Sequence, residues 1–275
     1  MSYTIRPFET VAELRECVEL QEETWGRGFS ERVPPAILKV SQILGGVAAG
    51  AYGDDGRLEG FVFGMTGVRD GEIVHWSDML AVRSGARDRG LGARLKAYQR
   101  ERMLAQGVSK VFWTFDPLQS RNAYLNFSKL GIVVREYRED MYGQTDSPLH
   151  RGIGTDRFVA LWQVDSERVR RRMEEGERGP GPEAARGVPS ALEPAGAGSA
   201  DAQLAPGEPD LTLTPPELLV AIPEDIVAVM ERSMQTAVAW RSATRSVLTH
   251  YLARGYEVRE LLRGARLSRY LLRRI

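Results

Sequence analysis

The stretch AVRSGARDRGLGARLK, residues 81–96, limits the fold of this chain more than any other segment. It leaves an apolar run typical of a strand, turns through three glycines and begins a helical pattern. Backbone N–H groups at the start of a helix have no intrahelical partner, and the helix dipole makes that end mildly positive. Glycines let a phosphate approach the backbone, and Arg87 and Arg89 add charged donors. The stretch therefore predicts a strand, loop and helix that bind a diphosphate.

The glycine spacing differs from the common nucleotide-binding motifs. Leu95 stands where the third glycine of GxGxxG would follow Gly90 and Gly92, and the pattern GxxxxGK[ST] does not occur. A glycine turn with solvated arginines therefore stays open as the alternative interpretation of the loop.

Length and charge narrow the class of protein. The chain has 275 residues with 43% hydrophobic content, which predicts one or two domains. Lys+Arg and Asp+Glu are both 37, so the balance favours neither nucleic acid nor an anionic membrane as partner. The first residues lack the apolar run of a signal peptide, and no long apolar window follows, so we expect a cytoplasmic protein.

Cysteine and histidine usage argues against a metal centre. Cys17 is the single cysteine and lies among apolar residues of a helical pattern, so we expect it in the core, without a disulfide or a cysteine-rich zinc site. His75, His150 and His250 show no paired-ligand spacing, and no metal is predicted.

The pattern of elements indicates a mixed α/β protein. Three extended runs, GVAAGAY, LEGFVFGMTGV and EIVHWSDMLAV, are separated by turn residues and predict an antiparallel meander. The other predicted elements are a strand at 3–7, helices after Thr10 and after Pro34, a helix at 91–106, a strand at 110–115, a helix at 120–130 and strands at 132–143 and 157–164.

Composition divides the chain into three parts. Residues 166–210 are crowded with Gly, Pro, Ala and charge, and this composition predicts a flexible linker between a domain at 1–165 and an α/β region at 211–275. FSKLGIVVRE at 127–136 parallels YLARGYEVRE at 251–260. The likeness indicates either a duplicated half-domain or the ordinary look of helix, glycine and strand junctions.

The order of elements and several segments resemble the GNAT superfamily of acyl-CoA-dependent N-acyltransferases. The resemblance covers residues 3 to about 164, and its most specific part is MLAVRSGARDRGLGARLKAYQRE. More narrowly, WTFDPLQSRNAYLNFSKLG and TDRFVALW resemble a bacterial subgroup in which some relatives are associated with N-succinylation of amino acids.

This resemblance implies a mixed, mostly antiparallel sheet, splayed between its fourth and fifth strands and flanked by helices. Beyond it, the residue pattern from ELLVAIP to LSRYLLRR predicts a C-terminal strand, helix and hairpin extension. Acyl-CoA, either acetyl-CoA or succinyl-CoA, would lie in the gap and acylate a small-molecule amine, with an amino acid favoured. The chain would act as a monomer or a homodimer. The implied cofactor contacts are Leu80, Ala81, Val82, Arg87, Asp88, Arg89, Gly90, Leu91, Gly92 and Asn122.

The expected acid and base depart from the family pattern. Many members carry a tyrosine four residues before the glycine that closes the second helix after the loop, and here that position is Phe127. Tyr124 lies one turn earlier and either replaces that acid or serves packing. Asp78 and His75 are the candidate bases, on opposite faces of one strand unless a bulge intervenes. Deprotonation by solvent is the remaining alternative.

The substrate candidates also have two interpretations each. Asp116 either binds the substrate amine or begins an Asx-Pro turn. Arg241 and Arg245 share one helix face and either clamp a carboxylate or form a solvated stripe. Because Phe127 lacks a hydroxyl, a non-catalytic acyl-CoA sensor or scaffold is the alternative function. A protein whose loop binds another polyphosphate or nucleic acid is a further rival, which the zero net charge disfavours.

Overall fold

A computed structural model describes residues 2–87, 89–143, 152–196 and 205–275. The chain forms two compact units. The first comprises Met1–Trp113 with Gln163–Asp165, and the second comprises Thr114–Trp162 with Ser166–Ile275. The boundary between them thus falls inside one strand rather than at the predicted linker.

The described residues include eleven strands and seven α-helices. The strands are β1 Thr4–Pro7, β2 Val47–Tyr52, β3 Leu58–Arg69, β4 Glu72–Val82, β5 Lys110–Phe115, β6 Val133–Arg138, β7 Arg157–Gln163, β8 Ser190–Leu192, β9 Glu217–Pro223, β10 Tyr256–Leu262 and β11 Leu267–Arg274. The helices are α1 Val11–Trp25, α2 Pro35–Ile43, α3 Leu91–Ala105, α4 Ser120–Tyr124, α5 Glu167–Met173, α6 Ile226–Arg232 and α7 Met234–Leu252. A π-helix, Leu125–Leu130, continues α4.

The sheet of the first unit has the strand order β1-β2-β3-β4-β5. The meander β2-β3-β4 is antiparallel, as the sequence predicts, and β5 runs parallel to β4. The parallel pair joins His75 to Val111 and Trp76 to Phe112, and the described residues form no β4–β5 pair beyond these. The two strands therefore part where the sequence resemblance placed the splay.

A bulge in β4 changes which face each side chain takes. Phe63 pairs with Met79 while Gly64 pairs with Ser77, so Asp78 is the extra residue. Before the bulge, Ser77 contacts α3 through Lys96. After it, Met79 packs in the core cluster formed with α1 and α2. Cys17 of α1 belongs to the same cluster, as predicted for a core cysteine.

A buried histidine fastens α3 to the first sheet. The Thr66 hydroxyl donates to the Gly45 carbonyl at 3.0 Å, so it accepts from His75 Nδ1 at 3.2 Å. The other ring nitrogen, Nε2, lies 3.0 Å from Gln99 Nε2 and accepts from that amide. Burial, and secondly the charge of Lys96, lowers the pKa of His75 to about 3. The ring is therefore neutral, with its proton on Nδ1.

Lys96 continues this hydrogen-bonded chain to the point where β4 and β5 part. Its Nζ donates to Ser77 Oγ at 2.8 Å and to Gln99 Oε1 at 3.1 Å, and it lies 3.9 Å from the ring centroid of Trp113. Burial lowers the pKa of this lysine to about 7. The hydrogen-bonded side chains of Lys96, Ser77 and Gln99 thus lie close to the point where β4 and β5 part.

The second unit has the strand order β7-β6-β10-β11-β9-β8, antiparallel except for the pair β8 and β9. The predicted C-terminal hairpin is present as β10 and β11. Residues 166–210, predicted as a linker, instead supply α5, a 3₁₀ turn and β8. The reason is that Ala184, Ala185 and Val188 pack against a buried leucine cluster of β9, β10 and β11. Even an alanine-rich segment can bury apolar area on such a preformed face.

We predict that the two glycines that close α-helical or π-helical segments differ in tolerance. Gly131 has φ 74° and Gly255 has φ 79°, so alanine at either position costs about 1 kcal/mol of stability through left-handed backbone strain. At Gly131 a Cβ would also lie 3.0 Å from Arg172 Cγ and 3.3 Å from the Arg168 carbonyl oxygen, whereas at Gly255 its nearest neighbour is 4.0 Å away. Gly131→Ala should therefore unfold at lower denaturant concentration than Gly255→Ala. Equal midpoints would contradict this packing.

The buried lysine predicts a pH dependence of stability. The pKa of Lys96 is about 7 in the folded chain and 10.5 as its ordinary value, so between these values the unfolded state binds the extra proton. Stability should rise from pH 7 to pH 9, by about 2 kcal/mol if this group acts alone. Lys96→Met should flatten this rise in urea titrations, and identical slopes in the two proteins would refute it.

Candidate functional site

The loop between β4 and α3 leaves a helix start without a side-chain cap. Gly90 occupies the N-cap position with φ 77°, a left-handed conformation that suits glycine, and no side chain caps the first turn. The first helical hydrogen bond runs from the Arg94 N–H to the Gly90 carbonyl. The N–H groups of residues 91–93 therefore point out of the helix end and favour an anion.

Space around this helix start is open. A Cβ at Gly90 would meet no atom within 4 Å, and at Gly92 it would meet Leu80 Cδ2 at 3.7 Å. An open depression of about 500 Å³ adjoins the loop, lined in part by residues 83–86 and Arg89. The backbone at Gly90 and Gly92 is thus not covered by other parts of the described chain.

The arginines of the loop have different positions. Arg87 is exposed, and its Nε donates to the Val82 carbonyl at 3.0 Å, which anchors the side chain at the end of β4. Its own backbone N–H bonds the Ser84 carbonyl, so this amide, expected to meet the cofactor, is already engaged. Arg89 is exposed. Asp88, a further predicted cofactor contact, lies outside the described residues.

The end of β4 offers backbone groups to the fork. Leu80, Ala81 and Val82 pair with β3 on one side. In such a strand, alternate N–H and C=O groups point away from the partner. Since the described part of β5 forms no pair with this stretch, those groups have no strand partner on that side, and the Val82 carbonyl accepts from Arg87 Nε. A ligand with amide groups can satisfy them as an added strand would.

Of the two candidate bases, Asp78 is the residue that lies at the bulge. Its side chain reaches solvent, yet burial raises its pKa, a Trp76 hydrogen bond opposes the rise and the charge of Glu31 adds to it. A carboxyl group with a raised pKa, placed at a bulge, is suited to accept a proton. His75 has both ring nitrogens in internal hydrogen bonds and a strongly lowered pKa, so it has no capacity left for that role.

The predicted substrate residues of the second unit are joined to each other and to other charges. Asp116 Oδ2 accepts from Arg241 Nη2 at 2.7 Å, and each residue is 3% exposed. Arg245 donates to both carboxylate oxygens of Asp156, at 2.6 and 2.8 Å. These groups are therefore internal ion pairs rather than open anion or cation sites.

The helix that follows β5 holds the other candidates. Asn122 is exposed and Tyr124 is half-buried, with the Arg263 guanidinium 5.2 Å from its ring centroid. Phe127 is fully buried and packs edge-to-face with Phe115 at 6.1 Å and with Tyr270 at 5.8 Å. The place of the family tyrosine is therefore part of an aromatic core.

Two residues close to the candidate site could not be identified from the sequence. Glu31 lies in the connection between α1 and α2, far along the chain from Asp78, and no local pattern links them. Lys96 looks like any helical lysine, although position 96 falls on the same face as the buried Gln99.

Metal and membrane criteria give the following findings. Among the described residues, no three His, Cys, Asp or Glu side chains are placed to hold a metal ion together. None of the helices that the structure describes has the length and apolar character needed to cross a bilayer.

Comparison with known proteins finds similarity in structure. No family model and no curated protein matches the sequence. A ribosomal-protein alanine N-acetyltransferase from Escherichia coli is similar over 60% of this chain and 96% of its own, with TM-score 0.47 and 16% identity. A GNAT-family acetyltransferase from Streptococcus pneumoniae is similar over 58% of this chain and 98% of its own, with TM-score 0.47 and 17% identity.

A phosphinothricin acetyltransferase of the GNAT superfamily from Sinorhizobium meliloti, solved in complex with acetyl-CoA, covers 58% of this chain and 88% of its own, with TM-score 0.47 and 16% identity. In this chain the meander β2-β3-β4 is followed by an open helix start and by a fifth strand that parts from the fourth. This order and pairing of elements agree with the fold that the sequence resemblance to the GNAT superfamily implies.

Proposed function

We propose that the chain is an N-acyltransferase that moves an acetyl or succinyl group from CoA to the amine of a small molecule. The observation that carries this proposal is the uncapped start of α3, placed directly after a strand that has parted from its neighbour. A diphosphate would bind the N–H groups of residues 91–93, with Arg87 and Arg89 as charged donors. The pantetheine amides would pair with the backbone of Leu80 to Val82.

The reaction we propose is a direct attack within a ternary complex. The amine nitrogen bonds to the thioester carbonyl carbon, the carbon–sulfur bond breaks, and the sulfur leaves as thiolate. A backbone N–H near Leu80 would stabilise the developing oxyanion, since fixed donors act on charge without reorganisation. Asp78 would take the proton that the nitrogen loses, and its raised pKa supports this role.

The leaving group needs little help. A thiol with a pKa near 8.5 departs as thiolate at a cost of roughly 2 kcal/mol at pH 7. The absence of a hydroxyl at Phe127 is therefore compatible with turnover, and Tyr124 is the remaining candidate for a proton donor. Since Arg241 and Arg245 hold internal carboxylates, they give no support to a clamp for the carboxylate of an amino acid. The acceptor is accordingly proposed only as a small-molecule amine.

A non-catalytic acyl-CoA sensor is the second candidate, favoured by one observation. The position of the family acid is a buried phenylalanine in an aromatic cluster. Thermal stabilisation by acetyl-CoA, succinyl-CoA and free CoA, followed by thiol release with pooled amines, separates the two functions. Binding with thiol release supports the transferase, and binding without it supports the sensor.

We predict that the loop controls cofactor affinity. Arg87→Ala and Gly92→Glu should each weaken acetyl-CoA binding at least tenfold in calorimetry, because one removes a charged donor and the other places a carboxylate beside the diphosphate. Gly92 has room for a side chain, so the fold should persist. Ala105→Glu is the matched control, with the same added charge at the exposed far end of α3. Equal affinity in all variants would show that the loop does not bind the cofactor.

We also predict a specific loss of rate on removing the proposed base. Asp78→Asn should lower kcat on the order of a hundredfold and leave acetyl-CoA affinity within twofold. Glu31→Gln keeps the base and should shift the acidic limb of the pH–rate profile to lower pH, because it removes a charge that raises the pKa of Asp78. Full activity of Asp78→Asn would exclude it as the base.

A further inference from the structure

The strands of the second unit are arranged symmetrically about the pair formed by β6 and β10, which we call the seam. β6 and β10 lie side by side and antiparallel, with Val134 opposite Val258. β7 flanks β6, and β11 flanks β10, each again antiparallel. In the order β7-β6-β10-β11, each half therefore consists of an inner strand at the seam and an outer strand antiparallel to it.

The sequence on the two sides of the seam matches at the same positions. Aligning 127–136 with 251–260 makes Val134 and Val258, the residues that face each other, equivalent. Each strand follows a helix and a glycine in the left-handed conformation, Gly131 or Gly255. Ordinary helix and strand junctions require none of these further coincidences.

The irregularities of the strands match as well. β6 has a register shift against β7 between Val134 and Glu136, and β10 has one against β11 between Val258 and Glu260. Bulges occupy defined positions in a fold rather than arising at random. Two bulges at equivalent residues therefore indicate two copies of one unit, related by a two-fold axis through the seam.

The strand that pairs with the start of the second copy, β8, is not followed by a helix in the residues that the structure describes. β8 runs parallel to β9, as β4 does to β5, and the pair ends at Leu192 and Val220 while β9 continues to Pro223. Between β8 and β9, residues 193–196 and 205–216 form no helix. The described part of this connection thus has nothing like the helix start that follows β4.

The second copy does have buried contacts with the segment at 116–120, which ends at Ser120, the first residue of α4. Arg241 of α7 donates to Asp116 through Nη2 and to the Ile153 carbonyl through Nε at 3.0 Å. The Tyr270 hydroxyl of β11 donates to the Pro117 carbonyl at 2.5 Å.

The last residue of that segment is held in the same way. Ser120 Oγ lies 2.6 Å from Glu224 Oε2 and 2.9 Å from Ser268 Oγ, at the ends of β9 and β11. Ser120 and Ser268 are buried. Three anchors from the second copy thus act on five successive residues, in addition to Arg157 of β7, whose Nη1 lies 3.9 Å from Asp116 Oδ2.

We propose that residues 217–274 are a second copy of the strand, helix, strand and strand unit that begins at β5. This copy has no acyl-CoA site. It holds residues 116–120 in place, and Arg241 is the positioning residue. The effect on catalysis rests on the proposed function, because α4, which begins at the last residue of this segment, carries Tyr124. The scaffold role itself does not.

The test compares Arg241→Met with Arg245→Met in the full-length chain. Both remove a guanidinium from α7, but Arg245 pairs with Asp156 rather than with the 116–120 segment. Hydrogen exchange at the Leu118 to Ser120 amides should accelerate at least tenfold in Arg241→Met and less than twofold in Arg245→Met. Equal acceleration, or none, overturns the proposal.

Kinetics add a readout that general destabilisation would not give. At a temperature where both variants are folded, Arg241→Met should lower kcat at least tenfold with KM for acetyl-CoA within twofold, and Arg241→Lys should recover part of kcat. A tenfold rise in KM for acetyl-CoA, or an unchanged kcat, contradicts the positioning role. If Arg241→Met does not fold, Tyr270→Phe removes the hydroxyl that reaches Pro117, and the same exchange criterion applies.

Stoichiometry tests the missing second site. Calorimetry of the intact chain with acetyl-CoA should give one site per chain, and two sites would overturn the proposal. If the wild-type chain binds no acyl-CoA, the proposed function fails, while the exchange experiment still decides whether the second copy holds the segment.

Discussion

The parting of β4 from β5 is the constraint on which the candidate site depends. A strand in mid-sheet uses both edges for hydrogen bonds, but beyond Trp76 the β4 edge that faces β5 is left without a strand partner in the described residues. Unsatisfied backbone groups are costly unless water or a ligand meets them. The same parting brings the chain to the uncapped start of α3. The backbone groups on one edge of β4 and the N–H groups at the start of α3 therefore lie close together along the chain, next to the point where β4 and β5 part.

Buried charge fixes the second unit in a different way. Removing one partner of a buried ion pair costs about 3 to 5 kcal/mol, because the other is left desolvated and unpaired. Asp116 and Arg241 are such a pair, and they join a loop after β5 to a helix more than a hundred residues later. A pair of this kind adds little net stability over apolar packing, but it tolerates only one arrangement of the two segments. We therefore regard it as a device for precision of position.

The sequence predicted what local pattern determines. The meander, the glycine loop and the core role of Cys17 follow from periodicity and turn chemistry, and the structure contains all three. The secondary structure within 166–196 could not be predicted in that way. Its alanines and Val188 pack against leucines of strands that lie far along the chain, and no local pattern shows this contact. Charge and spacing predicted Asp116 and Arg241 as substrate-binding candidates, and only the fold shows that they pair with each other.

The seam explains why a second copy without an acyl-CoA helix would keep its strands. An exposed strand edge offers unpaired N–H and C=O groups to any other chain, and proteins cover such edges or interrupt them. Here β10 pairs with β6 at Val134 and Val258, so the edge is covered within the chain. Removing β10 would expose the β6 edge, whereas a change in the connection between β8 and β9 leaves this pairing intact. The pairing of β6 with β10 therefore stabilises this part of the sheet independently of that connection.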